Sequence, residues 1–193
     1  AYMGIDSMAP FFERGGTYMM CRTSNASAVD MQDFAVMGIY KTVPDPNDKT
    51  GKKKIKVLEE FDSPMEMFMC VADLAVRWSQ DPKYEGNVGV VVGATFPAEL
   101  EQVAKYFVQH SAEVPILVPG IGAQGGDETE CMERLSAAGY DHRIARLSSS
   151  SGLNFAYDKA DPKRPAHEWA VAAVDSLEKM NNKINLEHHL KTA

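Results

Sequence analysis

Apolar residues fall into two alternating patterns along the chain. Continuous apolar runs, several of them rich in β-branched residues, predict strands at Tyr18–Cys21, Val88–Val92, Ile116–Val118 and Arg143–Leu147. Stretches with apolar residues at helical spacing follow the strands. They predict helices from Asn25 or Ser27 to about Val36, from Ser63 to about Ser79, from Pro97 to His110, from Asp127 to about Ala138, and from about Ala166 into the 180s. Because strand and helix alternate four times, the pattern predicts an α/β fold with a parallel sheet.

Four strand–helix units without a nucleotide fingerprint favour half of a (β/α)8 barrel, the TIM-barrel type. A whole barrel typically needs about 250 residues, and this chain has 193. A free four-stranded piece would expose two sheet edges and an uncovered core. We therefore expect residues 1–193 to form a single domain that another chain, or the rest of a longer one, completes.

Residues 38–62 interrupt this repeat. Pro44 to Asp48 has turn chemistry, and Gly51 to Lys56 is a basic run. The segment is predicted to be an exposed hairpin or a mobile excursion. Its basic run is typical of a solvated face, with docking to a partner as the alternative. After it, Ser63 is a predicted helix cap, as is Thr95 further along.

The stretch from Val114 to Asp127 joins a short strand to an acidic helix start through a glycine-rich loop. The loop glycines are Gly120, Gly122, Gly125 and Gly126, and Gln124 adds an uncharged amide donor. Glycines allow close backbone approach, and amides ahead of a helix favour an anion, most often a phosphate. An ordinary strand-to-helix loop is the alternative, since the spacing matches neither the P-loop nor the dinucleotide fingerprint. Similarly, Thr23 and Ser24 either cap the next helix or contact a ligand.

Composition narrows the class of protein. The formal net charge of -7 argues against a nucleic-acid binder. The three cysteines are far apart and the five histidines show no metal spacing, so we predict reduced thiols and no metal site. No apolar run reaches the length of a membrane span, and the N-terminus lacks the regions of a signal peptide. We expect a cytoplasmic protein, with an organelle matrix such as the mitochondrial one as the alternative.

At this point several motifs identify a resemblance. The chain resembles the orotidine 5′-phosphate decarboxylase family, in its bacterial-type branch. The matching pieces are Tyr2-Met3-Gly4 with Asp6-Ser7, Cys21-Arg22-Thr23-Ser24-Asn25, Asn87 to Thr95, and Val118 to Asp127. The resemblance covers nearly the whole chain apart from residues 38–62, which are then an insertion. It implies the C-terminal half of the family's barrel, with about its last four βα units.

The resemblance also implies a reaction and a set of contacts. The family removes carbon dioxide from orotidine monophosphate to give uridine monophosphate in pyrimidine biosynthesis, with no cofactor. Carried over, Thr23 or Ser24 would bond the pyrimidine edge and Pro119 would pack near the base. Gln124 would bridge phosphate and base. The phosphate would lie against Gly125, Gly126, Ser150 and Ser151.

Two departures from the family pattern shape the functional hypotheses. The catalytic Asp-x-Lys-x-x-Asp cluster does not occur, so no catalytic residue is predicted in this chain. Where the family has an arginine that grips the phosphate, this sequence has Ser151, which lacks the charged bidentate fork. The first hypothesis is a decarboxylase half completed by an N-terminal half or partner chain. The alternatives are an inactive barrel fragment serving as a structural subunit of a larger assembly and, less favoured, a nucleotide sensor.

Overall fold

The computed structural model describes residues 5–84, 86–160 and 162–191. Its strands are β1 (Thr17–Arg22), β2 (Ala35–Pro44), β3 (Lys54–Glu66), β4 (Val88–Val92), β5 (Ile116–Pro119) and β6 (Ala145–Ser148). Its helices are α1 (Ile5–Phe12), α2 (Val29–Gln32), α3 (Met67–Ser79), α4 (Pro97–Gln109), α5 (Glu128–Ala137), α6 (Ser150–Asn154), α7 (Ala156–Lys159) and α8 (Trp169–Lys191). Short 3₁₀ turns precede α2, β6 and α8. The motif Tyr2-Met3-Gly4 lies outside the described residues.

Four strands form one parallel sheet in the order β1-β4-β5-β6. These four strands therefore lie side by side in the order in which they occur in the sequence, and helices lie in the connections between them. This consecutive order is that of a (β/α)8 barrel rather than of an open sheet with a strand-order reversal. The predicted α/β fold class, with half of a barrel present, is confirmed.

The core lies between one face of this sheet and the helices. Val90, Val92 and Ile116 of the strands have no more than 1% of their surface exposed, and Leu100 and Phe107 of α4 are fully buried. Apolar burial of this kind is the main favourable term in folding. None of the helices in the described ranges is long and apolar enough to cross a membrane.

The other face of the sheet is partly uncovered. Along β1, Met19 and Cys21 are 2% and 1% exposed, whereas Tyr18 and Met20 on the opposite face are 40% and 54% exposed. In a (β/α)8 barrel, that second face points into the barrel and is packed by the facing strands. The exposed Tyr18 and Met20 are therefore what half of a barrel leaves open.

Residues 38–62 belong to a long antiparallel hairpin, β2–β3, confirming the hairpin alternative. A charged chain joins the hairpin to α3: Glu59 pairs with Lys41 across the hairpin and with Arg77 of α3. At the turn, Asp48 accepts backbone hydrogen bonds from Lys52 and Lys53. The hairpin consequently has a fixed end at the helix and a polar, exposed tip.

Several predicted boundaries were wrong. Ser63 does not cap a helix, because β3 continues to Glu66 and α3 begins only at Met67. The helix predicted to reach Val36 stops at Gln32, since the chain turns into β2. Thr95 does not cap α4; its hydroxyl donates to the carbonyl of Ser24, 3.1 Å away. In each case a tertiary partner overrides the local capping preference.

Candidate functional site

The carboxyl ends of the four sheet strands lie along one edge, and small or polar residues follow each of them. Thr23 follows β1, Gly93 follows β4, Gly120 follows β5 and Ser149 follows β6. Backbone hydrogen bonds tie these segments together: Gly93 donates to the carbonyl of Arg22, and Ala94 donates to that of Pro119. In parallel α/β folds, ligands bind at this edge.

Ser24 and Gln124, which are 100 positions apart in sequence, meet at this edge. The Ser24 hydroxyl donates to Oε1 of Gln124 across 2.5 Å. Because Ser24 takes the amide oxygen, the NH₂ group of Gln124 is the end that can donate to a ligand oxygen. The Ser24–Gln124 pair therefore presents a donor at the place where the sequence predicted contacts to both base and phosphate.

Three glycines make the approach of these segments possible. A Cβ on Gly93 would lie 2.7 Å from the backbone nitrogen of Ser24, and one on Gly120 would lie 3.0 Å from Oε1 of Gln124. A Cβ on Gly126 would collide with the side chain of Ala94 and lie 2.8 Å from the carbonyl oxygen of Gly120. Contacts below 3.0 Å cannot be accommodated without moving backbone, so Gly93 and Gly126 are required for the site's shape.

The glycine loop, residues 120–126, is closed by its own hydrogen bonds. The amide of Gly125 donates to the carbonyl of Gly122 at 2.9 Å, and the amide of Gly126 donates to that of Gly120 at 3.1 Å. In this conformation both amides are directed within the loop rather than at an open space. Their role as phosphate donors stays a prediction. At the loop's end, Asp127 caps α5 by accepting from the amide of Glu130, as the sequence predicted for an acidic helix start.

Thr23 and Ser24 have different hydrogen-bond partners. Gln32 of α2 holds Thr23 at both ends, accepting from its amide and donating to its hydroxyl, each at 3.0 Å. Ser24 instead turns toward Gln124. The geometry thus favours Ser24 over Thr23 as the residue that faces a ligand. No periodicity or motif in the sequence marks Gln32 for its role.

Pro119, Ser150 and Ser151 have different surroundings. Pro119 is half-buried at the end of β5 and uses its carbonyl to hold Ala94. Ser150 and Ser151 form the first turn of α6. Within the described residues, neither serine side chain hydrogen-bonds to the Ser24–Gln124 pair. The structure therefore brings together two of the predicted ligand contacts and leaves these two serines at the neighbouring strand end.

Arg22 is a buried cation that sequence reasoning missed. Its side chain is 1% exposed and lies over the ring of Phe96, 4.0 Å from the ring centroid. Its guanidinium pairs with Asp33 at 2.5 Å and with Glu99 at 3.4 Å. Because it is enclosed and already paired, Arg22 fixes the end of β1 and does not offer its charge to a ligand. The sequence feature that could have indicated this buried cation is an arginine at the end of an apolar strand.

The three cysteines are buried and unpaired with one another. Burial raises the pKa of the Cys21 thiol to about 12, and also that of Cys131 to about 12. At neutral pH these groups are thiols rather than thiolates, so they are poor nucleophiles. Cys21 instead donates to the carbonyl of Phe68, which ties β1 to α3.

The fold and the site define a class of protein: a parallel α/β half-barrel with a candidate ligand-binding site in the loops at the carboxyl edge of the sheet. No family model matches the chain. It is nevertheless 31% identical to orotidine 5′-phosphate decarboxylase of Halorubrum lacusprofundi over 188 residues, covering 95% of this chain and 56% of that protein. It is 32% identical to the protein of the same name from Natronomonas pharaonis over 188 residues, covering 94% of this chain and 54% of that protein.

A solved structure agrees with these relatives. The orotidine monophosphate decarboxylase of Leishmania donovani superposes with a TM-score of 0.57 at 25% identity, covering 95% of this chain and 54% of that one. The resemblance read from the motifs is thus confirmed, and this chain is related to the orotidine 5′-phosphate decarboxylase family over nearly its whole length. The chain spans about half the length of the curated relatives it matches.

Proposed function

We propose that this chain is the nucleotide-holding part of an orotidine 5′-phosphate decarboxylase-like protein of pyrimidine biosynthesis. The observation that carries the proposal is the 2.5 Å hydrogen bond between Ser24 and Gln124 at the carboxyl edge of the sheet. Both residues lie in motifs shared with the family, and the family's chemistry needs a pyrimidine nucleotide monophosphate held at this edge. Pro119, Gly125, Gly126 and the Ser150–Ser151 turn complete the proposed contacts.

The proposed chemistry divides between this chain and the rest of the barrel. In the reaction, the bond between the ring carbon and the carboxylate breaks, carbon dioxide leaves, and the electron pair stays on the ring carbon. A lysine flanked by aspartates then supplies a proton to that carbon. Since the Asp-x-Lys-x-x-Asp cluster does not occur here, this chain contributes binding energy from groups remote from the reacting carbon. No metal or organic cofactor takes part.

The open face of the sheet supports completion by an N-terminal half or a complementary chain. Tyr18 and Met20 of the outermost strand β1 are 40% and 54% exposed. The opposite outermost strand is β6. Four further parallel strands between these two edges would close the barrel and cover both side chains. On this proposal residues 1–193 are one domain, the C-terminal half, with residues 38–62 inserted after its first strand.

Nucleotide binding by the completed particle tests the proposal. The chain, purified with whatever completes it, is titrated with uridine 5′-monophosphate by calorimetry. We expect Ser24→Ala and Gln124→Ala each to weaken binding by about 10- to 100-fold, because hydrogen bonds to charged groups are worth about 1.5–3 kcal/mol. Ser136→Ala and Gln80→Ala are matched controls, since Ser136 donates to the carbonyl of Met132 and Gln80 to that of His110, rather than to either member of the Ser24–Gln124 pair. Equal affinity in all four variants would contradict the proposal.

A structural subunit is the second candidate, favoured by Ser151 in place of the arginine and by the missing lysine cluster. Native mass spectrometry of the particle, with each chain sequenced, separates the two. A companion segment carrying Asp-x-Lys-x-x-Asp supports the enzyme, and unrelated companions without nucleotide binding support the scaffold. Nucleotide binding without turnover supports a sensor. The isolated 193 residues are expected to show no decarboxylase activity.

A further inference from the structure

A groove of about 490 Å³ lies between the glycine loop and helices α6, α7 and α8. Gly122 and Ala123 of the loop line it together with Gly152 of α6. Ser176 of α8 donates to the carbonyl of Gly152 at 3.3 Å, which holds α6 against α8. The groove is large enough for a nucleotide-sized ligand group.

The described residues that line the groove include three cations on an otherwise acidic chain. Lys159, Arg164 and Lys179 are the cations, and Asp175 is the acidic residue among the described part of the lining. Arg164 is already paired with Asp175 at 2.6 Å. Within the described residues, neither Lys159 nor Lys179 pairs with a carboxylate. Two ammonium groups therefore remain as the charge that the groove can offer to an anion.

The position of the groove links it to the predicted phosphate contacts. Its glycine-loop wall ends at Ala123, directly before Gln124, and its other wall begins at Gly152, directly after Ser151. The arginines on the neighbouring segment are otherwise engaged. Arg143 pairs with Asp141, and Arg146 donates to the carbonyls of Arg143 and Ala145. Lys159 and Lys179 line this same groove, whose two walls adjoin the predicted phosphate contacts in sequence, and their charges are not neutralised by a carboxylate within the described residues.

We propose that Lys159 and Lys179 bind the phosphate of the nucleotide from this groove, supplying the charge that Ser151 cannot. The inference rests on the proposed function, because it assigns the phosphate end of that same site. Two lysines are point charges on flexible stems rather than a planar fork, so they hold a phosphate electrostatically without bidentate geometry. The contact is therefore sensitive to salt.

The test compares uridine 5′-monophosphate with uridine on the completed particle. Lys159→Gln and Lys179→Gln are each expected to weaken nucleotide binding about 5- to 10-fold, in line with charge-assisted bonds near a surface. The double variant is expected to lose most of the salt dependence, whereas uridine binding stays unchanged. Lys163→Gln is the matched control, because Lys163 lies just after α7, outside the groove lining, and pairs with Asp158 at 2.8 Å. It removes the same charge without touching the groove.

A gain-of-function variant completes the design. Ser151→Arg in the double-lysine background is expected to restore nucleotide affinity, because it returns a cation to the same phosphate. If the particle binds the nucleotide but the lysine variants match Lys163→Gln, the lysine assignment is overturned and the proposed function stands. If Ser151→Arg restores nothing, the lysines do not serve that phosphate. If the parent binds no nucleotide at all, the proposed function and this inference both fail.

Discussion

Gly93 is the position at which one added carbon most directly perturbs the candidate site. Its amide donates to the carbonyl of Arg22 at 2.8 Å, so it is fixed against the end of β1. A Cβ there would lie 2.7 Å from the nitrogen and 2.8 Å from the Cα of Ser24. The atoms it meets are backbone, which cannot rotate away. Gly93→Ala must therefore push the backbone of Ser24 outward.

The size of that displacement follows from the contact distances. Ordinary contact begins at 3.4 Å, so the 2.7 Å approach requires the two segments to separate by about 0.7 Å. Inserting a methyl group into such a packed place costs about 1–3 kcal/mol of folding stability. The Ser24–Gln124 hydrogen bond spans 2.5 Å, and a shift of this size misaligns it. We expect nucleotide binding to weaken by about tenfold, the loss of about 1.4 kcal/mol.

The control must lose similar stability without moving the site. Gly139 follows α5 with a φ of +70°, and a Cβ there meets nothing within 4 Å. Gly139→Ala therefore carries only the left-handed backbone penalty of about 1–2 kcal/mol. Urea unfolding gives the free energy of each variant, and calorimetric titration of the completed particle gives its affinity for uridine 5′-monophosphate. If Gly93→Ala binds as tightly as Gly139→Ala, the argued link between this glycine and the Ser24–Gln124 pair is refuted.

Two further predictions concern charge. The side chain of Arg22 is 1% exposed, whereas those of Asp33 and Glu99 are 46% and 26% exposed. We therefore expect the double variant Asp33→Asn, Glu99→Gln to lose about 3–5 kcal/mol of folding stability, because it leaves a buried unpaired cation. Arg22→Met should cost less, since the carboxylates left behind reach water, and chemical denaturation that gives the reverse order would contradict this. Asp48 accepts the amide of Lys53 at 2.6 Å, and mainly this bond lowers its pKa from 3.8 to about 2. Because this pKa is lowered, the ionised Asp48 carboxylate stabilises the turn at pH 4 and above, and this stabilisation is lost as the pH falls through about 2. The NMR chemical shift of the Lys53 amide should change over the same pH range. Asp48→Asn should remove this pH dependence.

The strands of the sheet and the position of the glycine loop could be predicted from the sequence, because both are determined by local residue patterns. A continuous β-branched run such as Val88–Val92 has few alternatives to a buried parallel strand, and all five of its residues are buried. Helix α5 begins directly after its cap, Asp127, and such side-chain capping is a short-range preference. These features depend on neighbours a few residues away, so a single sequence contains the information for them.

Features determined by residues distant in sequence could not be predicted in this way. Ser63 has every local sign of a helix cap, yet cross-strand pairing keeps β3 extended to Glu66. Gln32 holds Thr23 from nine positions away, and only the turn of α2 brings the two together. Thr23 and Ser24 were equivalent by sequence, and the structure separates them by partner. Tertiary contacts, rather than propensity, chose between the alternatives.

The open face of the sheet and the candidate site share strand β1. Tyr18 and Met20 lie on β1, whose end carries Ser24, so whatever covers those side chains also fixes the strand that positions the Ser24–Gln124 pair. On the proposed function, closing the barrel and binding the nucleotide are therefore linked equilibria: a ligand that binds only the closed form stabilises it, and closure raises the apparent affinity. Phosphate contacts on this chain and the reacting lysine on the complement would make that linkage part of catalysis, because binding energy gained on one half is then used at the other.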